Sequence, residues 1–315
     1  MQTLDLNGKW TVQKDGKGKR IPATVPGDVY ADLVAADEIP NPFYRDNENE
    51  LQWIGESDWS YRRSFKVSKA MLARDRVLLR CDGLDTFATV WVNGKRVAEA
   101  DNMFREWEWD VKKLVKAGTN TIRVDFASTL PYIHNRQKAA GRDTAGNKMK
   151  AADHGWVRKE QCNYGWDWGI KAITCGIWRD IRLVAFDCAR LADVQIHQDH
   201  SGQGKVGLTV EAEAETVGKP KLGVRVAVAH EGEIVAAAEA GLTKARTPVD
   251  VAIKQPRLWW PNNMGDQPLY DVTVELVDGD GRVLDTVCRR IGLRTLRLDR
   301  HPDKWGESFQ FVING

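Results

Sequence analysis

Apolar residues recur at every second position in segment after segment of this chain, a period that commits them to half-buried strands rather than helices. Ile122, Val124 and Phe126 alternate with Thr121, Arg123 and Asp125, and Val206, Leu208, Val210 and Ala212 alternate with Gly207, Thr209, Glu211 and Glu213. Val224, Val226 and Val228 repeat the pattern, as do Val272, Val274 and Leu276. Residues 89–92 run into Asn93-Gly94 and out through residues 95–98. Asn-Gly suits the two positive-φ positions of a tight hairpin turn, so this stretch is expected to be antiparallel. Helical signal is sparse. After Pro26-Gly27-Asp28 the sequence predicts one short helix over residues 29–37, capped by Asp28 and covering a sheet edge or a sandwich end.

A length of 315 residues is enough for two domains that fold without disulfide staples. Tryptophan is absent between Trp178 and Trp259, and Ala, Val, Glu and Gly dominate from Ala189, which places a boundary near residue 188. About seven strands are then expected over the following ~110 residues, the signature of an immunoglobulin-like sandwich. Residues 137–155 are polar and Lys-rich with neither period, and are expected to form a long loop bracketed by His134 and His154. Phe309, Phe311 and Ile313 alternate with Gln310 and Val312 and lead into Asn314-Gly315. That is a strand and a hairpin turn without a returning strand, so the expectation is an unpaired apolar edge and a chain that is a fragment.

Charge narrows the partners. With 46 Lys plus Arg against 44 Asp plus Glu, the net charge is only +2 and no basic tract stands out, so no nucleic acid is expected. No apolar run approaches the ~18 residues of a membrane span and the N-terminus lacks signal-peptide regions, so the expectation is a soluble chain, with no membrane partner and its compartment left open. Five cysteines, at 81, 162, 175, 188 and 288, form no Cys-x-x-Cys. A closed zinc site is not expected, and lone thiols are favoured over a Cys162–Cys175 pair. There is no Ser/His/Asp grouping, no phosphate-cradling Gly loop and no His-rich spacing, so no metal and no cofactor are expected.

The compositional outlier is aromatic: 13 Trp against 8 Phe and 6 Tyr. An indole suits the apolar C–H face of a pyranose, and it equally suits a sandwich core. The densest motif is Gln161-Cys162-Asn163-Tyr164-Gly165-Trp166-Asp167-Trp168-Gly169. Asp167 between Trp166 and Trp168 could accept two sugar hydroxyls against an aromatic wall; alternatively, Asp167 accepts backbone N–H groups in a structural turn and the indoles are core. A glycosidase needs two facing carboxylates, about 5–5.5 Å apart for retention or about 6.5–9.5 Å for inversion. No convincing pair is visible, and the acids of Asp46-Asn47-Glu48-Asn49-Glu50 read as a solvated face.

Taken together, Asn7-Gly8-Lys9-Trp10, Val25-Pro26-Gly27-Asp28-Val29, Trp59-Ser60-Tyr61-Arg62-Arg63, Gly83-Leu84-Asp85-Thr86, Trp91-Val92-Asn93-Gly94, Gly165-Trp166-Asp167-Trp168-Gly169, Gly176-Ile177-Trp178-Arg179, Trp259-Trp260-Pro261 and Gly292-Leu293-Arg294 resemble a β-mannosidase of glycoside hydrolase family 2. The Trp-Asp-Trp run is what points to mannosidase among the β-galactosidase and β-glucuronidase siblings. The resemblance implies an all-β chain: a jelly-roll, galactose-binding-like sandwich over 1–188, the immunoglobulin-like sandwich over 189–297, and over 298–315 a stub of the strand entering a (β/α)8 barrel. That barrel, which would carry both catalytic glutamates, is implied to be the missing partner. None of Glu48, Glu50, Glu56 or Glu160 then has a catalytic role. Asp167 is implied to contact the mannose at the cleaved position, with Trp168 and Trp166 at the rim, and mannosides or manno-oligosaccharides are the implied ligands. Alternatives are a stand-alone carbohydrate-binding sandwich and the same region of an exo-β-glucosaminidase or β-galactosidase. Two departures from the family pattern are Ile170 and Asp180, each where proline is common.

Overall fold

Alternation in the sequence becomes alternation in burial. The computed structural model describes residues 1–141, 154–244 and 246–315. Strands β1 (Gln2–Asp5), β2 (Gly8–Lys14), β3 (Ile21–Val25), β4 (Trp59–Val67), β5 (Arg76–Cys81), β6 (Phe87–Val92), β7 (Lys95–Ala100), β8 (Trp107–Asp110), β9 (Gly118–Ala127) and β10 (Ile181–Phe186) belong to a unit of residues 2–186. They form a six-stranded sheet in the order β3-β2-β4-β9-β6-β7 and a four-stranded sheet in the order β1-β10-β5-β8. On β9 Ile122, Val124 and Phe126 are buried while Thr121 is exposed. They meet Val77 and Leu79 of β5 and Leu183 of β10 in one core between the sheets.

A second unit comprises residues 187–315 and Met1. Strands β11 (Ala189–Asp199), β12 (Lys205–Thr216), β13 (Leu222–His230), β14 (Glu233–Gly241), β15 (Arg246–Lys254), β16 (Tyr270–Asp278) and β17 (Val283–Ile291) form two sheets, β11-β12-β15 and β14-β13-β16-β17. Val206, Leu208 and Val210 pack with Val224, Val226, Val272 and Val274 between them. The chain then continues through β18 (Leu296–Asp299), β19 (Pro302–Asp303), β20 (Gly306–Glu307) and β21 (Gln310–Ile313). The expected unpaired C-terminal strand is corrected here: β21 pairs antiparallel with β18, Phe311 opposite Leu298. Phe311 on it and Phe309 just before it nevertheless face out, at 67% and 69% exposure.

The short helix forms over Val29–Ala35, and Asp28 caps it by accepting from the N–H groups of Tyr30 (2.8 Å) and Ala31 (3.2 Å). It covers the edge strand β3, where Asp32 accepts the Thr24 N–H at 2.8 Å, a donor that an open edge would leave free. The loop expected over 137–155 is corrected in its first part, because a helix runs from Leu130 to Ala140. Its sequence shows no apolar stripe, since Ile133 is its one buried residue. The rest of that expected loop, residues 142–153, lies outside the described residues.

Two buried polar groups brace the larger sheet. Asn120, 1% exposed, accepts from Asn93 Nδ2 (2.8 Å) and the Lys116 N–H (2.9 Å), and donates to the carbonyls of Lys116 (2.7 Å) and Gly118 (2.9 Å). It thereby locks the Asn93-Gly94 turn, where both residues have positive φ, to the entrance of β9. Asn120→Ala is expected to cost about 2–6 kcal/mol, four bonds at roughly 0.5–1.5 each; an unchanged denaturant midpoint would show that water replaces the amide.

Asp32, 4% exposed, also accepts from Tyr61 Oη at 2.8 Å, and burial lifts its carboxyl from 3.8 to about 6. An acid whose folded value is raised stabilises the fold below the unfolded value and loses that contribution as pH rises through the folded one. The stability of the wild type relative to Asp32→Asn is therefore expected to fall by about 3 kcal/mol between pH ~3.5 and ~7. Unfolding curves at the two pH values measure this, and a constant difference would contradict it.

Candidate functional site

Residues 158–176 leave the sandwich, turn back and return before β10. At the far end a tight turn closes between Trp166 and Gly169, whose N–H and C=O groups pair reciprocally at 3.3 and 3.4 Å. One step below, Tyr164 and Lys171 form an antiparallel bridge. Gly165 permits the turn with φ of +96°. Asp167 and Trp168 thus occupy the two central positions of a hairpin tip.

Trp168 is 73% exposed and Trp166 43%, so neither indole is core. Asp167 is exposed, and among the described residues its carboxylate has no hydrogen-bonding or ion-pair partner. The turn is closed by backbone groups, which leaves the Asp167 oxygens free to accept from a ligand. Such a tip is costly in apolar exposure and has little burial of its own to orient it.

Orientation comes from the base. Tyr164, Val157 and Ile173 are buried with Ile133 in a small apolar cluster, and Tyr164 Oη shares a hydrogen bond with Thr129 Oγ1 at 2.7 Å. Glu48 accepts the Lys171 N–H at 2.6 Å and Gln52 donates to the Lys171 carbonyl at 2.9 Å. The acid-rich 46–50 segment is therefore not only a solvated face, since Glu48 anchors the hairpin. Beneath this lies an ion pair removed from water: Lys159 Nζ sits 2.5 Å from Asp85 Oδ2, their side chains 0% and 4% exposed. Lys159 also donates to the Thr174 carbonyl (2.9 Å) and Thr174 Oγ1 (3.1 Å), so its three N–H groups all have acceptors. The return arm runs close over the helix start: a Cβ on Gly176 would lie 2.6 Å from the Gly27 carbonyl oxygen.

Other singled-out residues fall elsewhere. Among the described residues no disulfide joins Cys162 and Cys175 or involves Cys81, Cys188 or Cys288. His134 is exposed on the helix at Leu130–Ala140, and His154 opens a one-turn helix. A groove of about 580 Å³ on the six-stranded sheet, lined by Lys9, Arg20, Arg62, Arg63, Arg123 and Trp91 among others, includes none of the three hairpin residues. The anchoring group Lys159, Thr174, Glu48 and Gln52 was not legible in the sequence. Asp85 stood in the Gly-Leu-Asp-Thr motif, but nothing there signals a partner 74 positions away.

Known proteins share this architecture. Residues 10–179 match the glycosyl hydrolase 2 galactose-binding domain-like model, and residues 189–294 match the glycosyl hydrolases family 2 model. Beta-mannosidase B of Aspergillus clavatus is 33% identical over 326 aligned residues covering 100% of this chain and 38% of that protein. The Aspergillus terreus protein of the same name is 36% identical, covering 93% of this chain and 34% of its own length. The crystal structure of a beta-D-mannosidase from Dictyoglomus thermophilum superposes with a TM-score of 0.92 at 34% identity, across 100% of this chain and 39% of that one. An exo-chitosanase from Amycolatopsis orientalis shares the fold at a TM-score of 0.72 and 21% identity, over 100% of this chain and 36% of its own. The chain thus spans little more than a third of the length of these relatives. Two β-sandwiches in this order, matched in turn by the two family models, have one reading: the chain belongs to glycoside hydrolase family 2.

Proposed function

We propose that this chain is the N-terminal, non-catalytic portion of a retaining exo-β-mannosidase, and that its hairpin forms part of the wall of the sugar pocket. The observation that carries this reading is the unpartnered Asp167 carboxylate presented between two exposed indoles, in a chain similar over its whole length to β-mannosidases. Terminal β-linked mannose of manno-oligosaccharides is the proposed substrate. A carboxylate takes two hydroxyl donors at once, and each charge-assisted bond contributes about 1.5–3 kcal/mol. Aimed at the 2-hydroxyl, axial in mannose, the contact distinguishes mannose from its 2-epimer, glucose, because a site built to bond a hydroxyl strongly rejects a sugar that misplaces it.

The reaction's own carboxylate pair, about 5–5.5 Å apart in a retaining enzyme, is proposed to lie in a (β/α)8 barrel outside these residues. This chain then contributes recognition, and an exposed tip narrows the pocket so that only a chain end enters. Such a contact raises turnover to the extent that it strengthens at the oxocarbenium-like transition state.

Three measurements test this. A chromogenic β-mannoside is expected to be hydrolysed by the full-length enzyme and not by residues 1–315 alone; turnover by the short chain would place a catalytic pair within it. In the full-length enzyme, Asp167→Ala is expected to lower kcat/KM at least ~tenfold, the equivalent of one lost charged hydrogen bond, and unchanged kinetics would remove Asp167 from the site. Trp168→Ala is expected to raise KM while leaving the free energy of unfolding within ~0.5 kcal/mol of wild type, since the side chain stands in solvent; lost stability with intact kinetics would make the indole structural.

A further inference from the structure

We propose that Lys159 is a positioning residue: its buried ion pair with Asp85 fixes the orientation of the Trp166–Gly169 turn, and with it the geometry in which Asp167 meets the saccharide. This rests on the reading of Asp167 given above.

The contacts of the pair are confined to one place. Lys159 and Asn163 belong to the outgoing arm of the hairpin, Thr174 and Gly176 to the returning arm, and Asp85 to the segment that feeds β6. Thr174 Oγ1 lies 2.8 Å from Asp85 Oδ2 and 2.9 Å from Asn163 Oδ1, while accepting from Lys159. The Asp85 N–H donates to the Gly176 carbonyl at 2.9 Å, and the Gly176 N–H returns a bond to Asp85 at 3.0 Å. Asp85 Oδ1 accepts from Thr86 Oγ1. Both arms are therefore tied to the same carboxylate, and the network reaches the sheet through residue 86.

Stability is a poor reason to keep such a pair. Taking an ammonium and a carboxylate out of water costs several kcal/mol per ion, and a well-packed apolar replacement is often as stable or more so. Direction is what the pair supplies. The apolar cluster at the base, Ile133, Val157, Tyr164 and Ile173, holds the arms together without specifying their register, because hydrophobic contact is non-directional. Three donors on one ammonium, each with its own acceptor, admit one arrangement. The tip above cannot orient itself, as Trp166, Asp167 and Trp168 are all exposed.

The experiment is a double-mutant cycle in the full-length enzyme, combining Lys159→Met with Asp167→Ala. It reads kcat/KM on an aryl β-mannoside, alongside hydrogen exchange of the backbone amides of residues 165–171. Lys159→Met alone is expected to lower kcat/KM at least ~tenfold, mainly through kcat, since small misplacements of a contacting group cost rate steeply. In the Asp167→Ala background the same substitution is expected to cost less than ~twofold more, because residues acting through one contact are non-additive. Exchange at 165–171 is expected to accelerate while β4 and β9 keep their protection.

Additive losses, or unchanged exchange at the hairpin, would overturn the proposal. Thr174→Val removes the shared hydroxyl and leaves the two charges paired, so the same pattern at smaller amplitude is expected even where Lys159→Met fails to fold. A silent Asp167→Ala would defeat the saccharide contact, and with it the kinetic half of this proposal; the exchange data then separate that failure from a failure of Lys159 to hold the turn.

Discussion

A carboxylate and an ammonium removed from water, Asp85 and Lys159, join three segments of chain at this end of the first sandwich. Each is tolerable only beside the other, because removing one leaves a buried charge without compensation. From that node the chain runs in three directions. Residue 86 leads into β6 of the six-stranded sheet. Gly176 pairs with Asp85 and continues to Ile177, which accepts the Gly27 N–H at 2.9 Å, just as Cys175 accepts the Val29 N–H at 2.9 Å, so the start of the edge-covering helix is held by the same strip of chain. Lys159 leads outward to the hairpin. Sheet, helix and hairpin are coupled through a contact whose parts lie far apart in sequence.

That separation explains what sequence reasoning reached and what it did not. Period-2 alternation located β9, β12, β13 and β16, because a half-buried strand imprints its own burial on its sequence. Asn93-Gly94 announced its hairpin because positive φ at two consecutive residues demands those side chains. Asp28 signalled its helix through local capping. In contrast, the helix at Leu130–Ala140 was hidden because it buries only Ile133, and a helix without an apolar stripe has no period to detect. The C-terminal strand shows no partner in sequence because its turn points onward, whereas its actual partner, β18, precedes it by a loop holding its own small hairpin. For the candidate site, composition singled out Trp166, Asp167 and Trp168 and left their role open. The exposure of all three is a property of the hairpin's base, which no local pattern records.

The two departures from the family's proline pattern acquire a physical reading. The turn closes through the backbone of Trp166 and Gly169 and through the Tyr164–Lys171 bridge, and none of these bonds uses the amide of residue 170. Ile170 can therefore replace a residue that lacks an N–H without opening the turn. Asp180 likewise gains a task that proline could not perform: its Oδ1 accepts from Asn7 Nδ2 at 2.9 Å, linking the approach to β10 with the start of β2.

In the recognition role proposed for it, the hairpin faces a constraint that a core residue does not. An exposed indole or carboxylate lowers its energy by moving, through re-burial of the ring or fuller hydration of the charge, and each movement displaces the contact it should offer. Rate is gained only from an interaction already in place when charge develops on the sugar, since reorganisation at that moment would consume the benefit. The further the tip stands from the core, the more its precision depends on directional bonds at its base. An ion pair with saturated donors supplies that direction where a hydrophobic contact does not. A charge pair too expensive to serve stability alone is thus placed where angular error at the base would be magnified at the tip.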